Sequence, residues 1–421
     1  MTTRETRRRF LQTSAVAGGI ALAGCLGGDD DENGAENGDE NGDENGDENG
    51  DEDGEEAAAF ASASPVCHDY THDGEAYVTL GPSYADGGLI VFDPESFEIT
   101  EEFPEIPANC GTLAHPTEEK FYVNAGSADT DEADGAGDWW VFDTESHEMI
   151  GDTRSTEGYD AHGVMFTPDN EELWMVNRDT DDGVIIDPET DEVIEEIDEV
   201  GESPDILAAS PDGELMFAST RGPEQQSGPH QIAGDTPGVA VINVESRELV
   251  EVVEPDPIDN YDDDDREDPD QPTPDFHGIG VVPGDGDDDY EVWALDQGVA
   301  NLYILHPDGE GSIEVQNEVS LGEGTEEVPH MVDFDSEYRY AAIPSTGGAK
   351  TQIVTVDDYE VVKELDTGAG SHFAGWNPGD ETILVDVIGD EKFVEIEADL
   401  EAEEFEMGQE LVLSDLDQFP N

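Results

Sequence analysis

The feature that most constrains the fold is a repeat unit that recurs seven times after residue 64. Each unit has a short apolar strand, a tight turn, a second apolar strand, a loop, a Val-x-Asp-like third strand and a charged fourth strand. The first turns read TPDN at 167–170 and SPDG at 210–213, and the second strands read FYVN at 121–124 and WMVN at 174–177. Alternating or short apolar runs bounded by Gly, Pro, Asp and Asn predict β-strands and turns throughout.

Seven units of four strands predict a ring. One unit alone leaves an apolar face exposed, so the units must stack around an axis to form a core. We therefore predict an all-β fold over residues 57–421, a seven-bladed β-propeller with four-stranded antiparallel blades. The units begin near Pro65, Asn109, Ala161, Pro204, Phe276, Pro329 and Ser371.

The second-strand motif and the Val-x-Asp third strand resemble the YVTN family of seven-bladed propellers, over roughly residues 65–413. The fifth unit departs most from the pattern, because an acid-rich turn at 284–290 stands where the Pro-Asp-Gly turn is expected. The resemblance implies the fold and leaves the function open, since propellers of this kind include binding scaffolds, lactonases and metal enzymes.

Residues 1–24 resemble a twin-arginine export signal that ends in a lipobox. The run TRRRFL at 6–11 precedes a short apolar stretch, and Leu-Ala-Gly at 22–24 precedes Cys25. The apolar stretch is too short to span a bilayer. We expect cleavage before Cys25, lipid attachment to its sulfur and anchoring to the outer face of the cell membrane; a plain cleaved signal with a free Cys25 is the alternative. The acidic segment 25–56 is expected to be a disordered linker.

The charge balance excludes some classes of partner. The chain has 110 acidic and 14 basic residues and a formal net charge of −96. Such a chain would repel nucleic-acid phosphates, and it fits a protein that works in very high salt, where screening acts over a few Å. No apolar stretch of about 18 residues exists, which excludes a multi-span membrane protein. We expect an acidic, halophilic monomer.

One column of the repeat, six residues before the first turn, carries titratable side chains. Its seven positions are Val66, Cys110, His162, Asp205, His277, His330 and His372. Chance predicts fewer than one histidine in such a column, because only 10 of 421 residues are His. The first strand of each blade is innermost and begins at one mouth of the central channel, so these side chains should converge on the axis.

Imidazole, thiol and carboxylate groups together suit zinc or copper. The sequence therefore predicts a metal site whose core is the histidine trio from the last three blades. The full candidate set is His162, Asp205, His277, His330, His372, Cys110 and His68. His68 lies one layer deeper in the channel, where trapped water is an equal alternative.

Two alternatives compete with the metal. Histidines that line a channel can bind only water and neighbouring carbonyl groups. Cys67 and Cys110 begin neighbouring first strands, and in an oxidising compartment they could form a disulfide, which would remove Cys110 from the metal ligands.

Long loops share this mouth of the channel, at 125–138, 221–238 and 254–275. Loops of this length are typically functional or disordered. The residues in the loops of this class that could hold an anionic ligand are Arg178, Arg221, His230 and Lys350. The basic ones could also pair with carboxylates of the column, and local ion pairing at the surface is the other alternative.

The leading hypothesis is a lipid-tethered propeller that captures zinc or copper and passes it to a metal transporter or a surface protein. The first alternative is a metal-free scaffold that binds a protein or polymer at the cell surface. The second is a copper-dependent oxidoreductase. The sequence identifies no catalytic residue, so a non-enzymatic role is favoured and the question of an enzyme stays open.

Overall fold

The computed structural model describes residues 60, 62–81, 87–107, 111–126, 137–223, 234–255, 273–284, 286, 289–322, 326–417 and 419. The predicted signal, Cys25, the linker, Cys110, His230 and most of the three long loops lie outside these residues. Among the described residues, no helix has the length and apolar character needed to cross a membrane.

Seven antiparallel sheets confirm the predicted propeller, because each sheet consists of strands that are consecutive in the chain. Blade 1 contains β1 Ser64–Tyr70, β2 Ala76–Gly81, β3 Gly88–Asp93 and β4 Glu98–Phe103. Blade 2 contains β5 Thr112–Ala114, β6 Lys120–Asn124, β7 Asp138–Asp143, β8 Glu148–Met149 and β9 Arg154–Ser155. Blade 3 contains β10 Ala161–Phe166, β11 Leu173–Asn177, β12 Asp182–Asp187 and β13 Glu192–Ile197. Blade 4 contains β14 Pro204–Ala209, β15 Leu215–Thr220, β16 Gly238–Asn243 and β17 Glu248–Val253.

The last three blades follow the same order. Blade 5 contains β18 Phe276–Pro283, β19 Tyr290–Asp296, β20 Asn301–Pro307 and β21 Ile313–Ser320. Blade 6 contains β22 Asp333–Phe334, β23 Tyr340–Ser345, β24 Lys350–Thr355 and β25 Val361–Leu365. Blade 7 contains β26 Ser371–Trp376, β27 Thr382–Val387, β28 Lys392–Asp399 and β29 Glu404–Val412, followed by a 3-10 turn at Leu413–Asp415.

Local turn chemistry explains why the repeat folds into these strands. The turn between the first and second strands ends in a left-handed residue, with φ of 59° at Asn170, 74° at Gly213 and 58° at Asp380. Gly, Asn and Asp are the residues that tolerate this conformation. The turn motif seen in the sequence therefore fixes the hairpins of these three blades.

The core lies between blades. The described residues contain seven apolar clusters of ten or more buried residues, one for each pair of neighbouring blades. For example, Tyr122 and Trp139 of blade 2 share a cluster with Met175 and Ile186 of blade 3. Each blade needs its neighbours to bury its faces, which is why a single repeat unit would not be stable alone.

The C-terminal segment supplies the last outer strand. From the sequence, 57–63 and 400–413 are both candidates for this strand. In the structure, β29 pairs with β28 and completes blade 7. The ring closes where β1 packs against β26 and β27. Phe60 adds to this closure by stacking on Phe419, with ring centroids 4.8 Å apart.

Candidate metal centre

β-bulges set the direction of the side chains in the predicted column. Between β10 and β11 the pairing shifts between Ala161 and Val164, a span that contains His162. The same shift surrounds Asp205 and His277 at the starts of β14 and β18. A bulge bends the strand locally and turns a side chain away from its regular face.

Glycines that follow the column let the inner strands approach closely. A Cβ atom at Gly163 would lie 2.3 Å from the carbonyl oxygen of Asp205 in the next blade. A Cβ atom at Gly278 would lie 2.6 Å from the carbonyl oxygen of His330. Such distances exclude any residue with a side chain unless the backbone moves. The close approach brings column residues of adjacent blades together.

Three column residues converge on one point. His162, Asp205 and His277 are at most 2% exposed. The distance from His162 Nε2 to Asp205 Oδ1 is 2.9 Å, and that from His277 Nε2 to Asp205 Oδ2 is 3.5 Å. One potential ligand atom from each residue lies within 4.8 Å of the other two, a spacing suited to a metal ion.

His330 and His372 lie beside this trio as a stack of rings. The ring centroids of His277 and His330 are 3.8 Å apart with an interplanar angle of 26°, and those of His330 and His372 are also 3.8 Å apart but tilted by 51°. Stacked rings present faces to one another, whereas metal binding needs nitrogens that converge. The sequence predicted His277, His330 and His372 as the core of the metal site, whereas the ligand atoms that converge belong to His162, Asp205 and His277. Only His277 belongs to both sets.

Hydrogen bonds fix the tautomers of the stacked histidines. The Nδ1 atoms of His277 and His372 lie 3.1 Å and 2.8 Å from the carbonyl oxygens of His330 and Val66. The Nδ1 atom of His330 lies 3.1 Å from Gln297 Oε1. Because these oxygens only accept, Nδ1 carries the hydrogen and donates, which leaves a lone pair on each Nε2.

The lone pairs need a hydrogen-bond donor or a cation. His277 Nε2 faces the carboxylate of Asp205, so two acceptors meet in a buried site. His330 Nε2 has no hydrogen-bond partner in the described part of the chain. A proton could bridge the acceptors, but burial holds the pKa of His277 well below its usual range. A metal ion would satisfy these atoms without a proton.

A buried ionic network surrounds Asp205. Arg178 contacts Asp160 at 3.0 Å and Asp205 at 3.3 Å, and Arg221 contacts Asp205 and Asp275 at 2.7 Å each. All these side chains are fully buried. Three carboxylates against two guanidinium groups leave one net negative charge, and a buried charge is costly unless it is paired. The network therefore favours a nearby cation.

The partners of the column come from a second column that the sequence analysis missed. Arg178, Arg221 and Gln297 each follow directly after the second strand of their blade. Their backbone N–H groups donate to the carbonyl oxygens of Asp160, Ser203 and Asp275. These three residues lie two positions before His162, Asp205 and His277. Aligning the ends of the second strands would have revealed this column. Of the alternatives for Arg178 and Arg221, the structure shows the pairing with a column carboxylate, because both contact Asp205 in buried ion pairs.

Lys350 does not present a free charge either. Its ammonium group lies 3.0 Å from Glu327 and 2.7 Å from Glu364, at the start of β24. His230, the fourth residue of that predicted ligand loop, lies outside the described residues.

His68 and Cys67 have other partners. His68 Nδ1 lies 2.7 Å from Asp386 Oδ2, and its ring packs against Tyr70 and Phe373. The contacts described here for His68 are therefore with residues other than His162, Asp205 and His277. Cys67 is disulfide-bonded. The other two cysteines of the chain, Cys25 and Cys110, lie outside the described residues, so the predicted Cys67–Cys110 pairing stays a prediction.

Comparisons with known proteins support the fold only. Hydrazine synthase of Kuenenia stuttgartiensis has a similar solved structure, with a TM-score of 0.57 and 14% identical residues. The similarity covers 82% of this chain and 98% of that chain. No protein-family model and no curated protein matches the chain. The resemblance to the YVTN family therefore stays a prediction, and the chain is established as a seven-bladed β-propeller.

Proposed function

We propose that this chain is a lipid-anchored, extracytoplasmic propeller that binds zinc or copper at one mouth of its central channel. The observation that carries the proposal is the buried convergence of His162, Asp205 and His277 on one point. Two imidazoles and a carboxylate form a common ligand set of zinc, and imidazole also suits copper.

Neighbouring groups would complete the coordination. His330 Nε2 offers a further unpartnered donor atom in the same column. The Nδ1–H bond of His277 to the carbonyl of His330 would orient its ring and raise its basicity as a ligand. The net negative charge around Asp205 would attract the metal ion and lower the energy of burying it.

We infer that the role is metal handling or delivery. His372, the last ring of the stack, is partly exposed, whereas His162, His277 and His330 are buried. A partly exposed imidazole at the edge of the site offers a first contact for an arriving or departing ion. A lipid on Cys25 and the acidic linker would hold the propeller near a metal transporter or a surface protein in the same membrane.

Elemental analysis of the full-length exported protein tests the proposal. We expect about one zinc or copper ion per chain and loss of that ion in the double variant His162→Ala/His277→Ala. His306→Ala is the matched control, because His306 lies outside the column, near Glu291. Equal metal content in the double variant and the control, or no metal in the wild-type protein, would refute the site. An EPR signal would identify copper rather than zinc.

A further inference from the structure

A second polar cavity, of about 220 Å³, lies deeper along the channel-lining strands. Its walls come from β1, β22 and β26 and from the turns that follow β22 and β26, and they include His68, Tyr70, Phe373 and Trp376. Of the column residues that the structure describes, none lines this cavity. The cavity is therefore distinct from the candidate metal centre.

Buried polar atoms at this cavity have no hydrogen-bond partner among the described residues. They are His68 Nε2, Tyr70 OH and Trp376 Nε1, and Asp386, the partner of His68 Nδ1 outside the cavity wall, has a fourth such atom in Oδ1. His68 is 2% exposed and Asp386 is fully buried. Because His68 Nδ1 donates to Asp386 Oδ2, its Nε2 carries a lone pair. Unsatisfied buried polar atoms are costly and call for a bound partner.

Gly375 leaves space in front of His68. A Cβ atom at this position would lie 2.6 Å from His68 Nε2 and 2.9 Å from the ring of Phe373. Any larger residue would fill the part of the cavity that His68 faces. The glycine therefore keeps a cradle open beside a histidine lone pair.

The cavity is acidic and has no basic residue in its wall. Asp69, Asp333 and Asp380 line it. Asp69 and Asp333 are held by backbone N–H donors at 2.7 Å, from Ala114 and Trp376 respectively. Burial raises the pKa of each of these two carboxyl groups to about 6. A cation in the cavity would stabilise the charged forms of these two carboxyl groups.

The aromatic side chains point to the nature of this cation. Tyr70, Phe334, Phe373 and Trp376 all line the cavity. Aromatic rings attract organic cations and also pack against their alkyl parts. An alkali metal ion could use the carboxylates but would leave the apolar walls uncovered.

We propose that this cavity binds a small organic ammonium ion. An N–H group of the ligand donates to His68 Nε2, and its charge faces Asp69 and Asp333. Its alkyl part packs against Trp376. This site is independent of the metal centre, so each proposal can fail without the other.

Calorimetric titration of the full-length wild-type protein tests the proposal without any variant. The probes are n-propylammonium chloride, 1-propanol and potassium chloride, each added to the same high-salt buffer. We expect saturable binding of propylammonium at one site per chain and no saturable binding of propanol or potassium. Absent binding of propylammonium, or equal binding of the neutral alcohol, would overturn the proposal; saturable potassium binding in its place would assign the site to an inorganic cation and also overturn it.

Variants then locate the site. Asp333→Asn keeps the size of the side chain and the acceptor for the Trp376 N–H group, and we expect it to weaken propylammonium binding by roughly tenfold. Asp358→Asn removes an exposed acid elsewhere on the same blade and should leave the affinity unchanged. Both variants should keep the metal content of the wild-type protein. Equal affinities in the two variants, with both folded by circular dichroism, would place the binding elsewhere.

Discussion

At the scale of single residues, Asp205 organises the centre. It contacts two guanidinium groups, from Arg178 and Arg221, and two imidazoles, from His162 and His277. No other acid in the column position could do this, because the remaining described positions are His or Val. Its position in the repeat made Asp205 a candidate ligand from the sequence. Its partners Arg178 and Arg221 belong to the second column, whose residues directly follow the second strands.

Asp205→Asn should therefore destabilise the protein strongly. The change removes the carboxylate that joins Arg178 to Arg221 in a fully buried network and breaks one ion pair of each arginine. Breaking a buried ion pair typically costs about 3–5 kcal/mol in the free energy of unfolding, measured here by denaturant unfolding in high salt. The exposed substitution Asp198→Asn is the control and should be nearly neutral. An Asp205→Asn variant as stable as this control would contradict the described network.

At the scale of elements, the inner strands decide which side chains meet. The column could be aligned as a set of equivalent positions from the sequence, since hairpin turns and apolar runs are local signals. The bulges that turn His162, Asp205 and His277 inward depend on pairing with the second strand, and the repeat pattern does not encode them. The hydrogen bond between His68 and Asp386 could not be predicted from the sequence either, because it joins residues of two blades that are 318 positions apart.

Gly278→Ala tests the close approach of β18 to the start of blade 6. The added Cβ would lie 2.6 Å from a backbone oxygen of His330, so the two blades must separate locally. We expect a lower melting temperature and reduced metal content, because His277 and His330 would move apart. Gly286→Ala, where an added Cβ meets nothing within 4 Å, is the matched control. If both variants melt and bind metal like the wild-type protein, the inner strands are not packed as described.

At the scale of the whole molecule, the fold follows from the repeat, and the charge predicts the conditions in which the protein works. Seven clusters between blades form the core, and this architecture could be read from seven units that each expose an apolar face. The formal net charge of −96 opposes compaction through self-repulsion, which concentrated salt screens. The expectation of a halophilic protein rests on this balance.

The stability of the chain should rise steeply with salt. We expect the melting temperature to increase by several degrees or more between 0.2 M and 3 M potassium chloride, because screening weakens repulsion among the acidic groups. Circular dichroism at both concentrations measures this shift. A melting temperature that is constant across the series would show that the acidic surface does not control stability.

The central claim is that one metal ion lies among His162, Asp205 and His277. The most direct measurement is a crystal structure of the protein loaded with zinc or copper, with anomalous diffraction recorded at the absorption edge of the metal. The account predicts one strong anomalous peak about 2 Å from His162 Nε2, His277 Nε2 and an oxygen of Asp205. Anomalous peaks only at surface carboxylates, with the column free of metal, would contradict it.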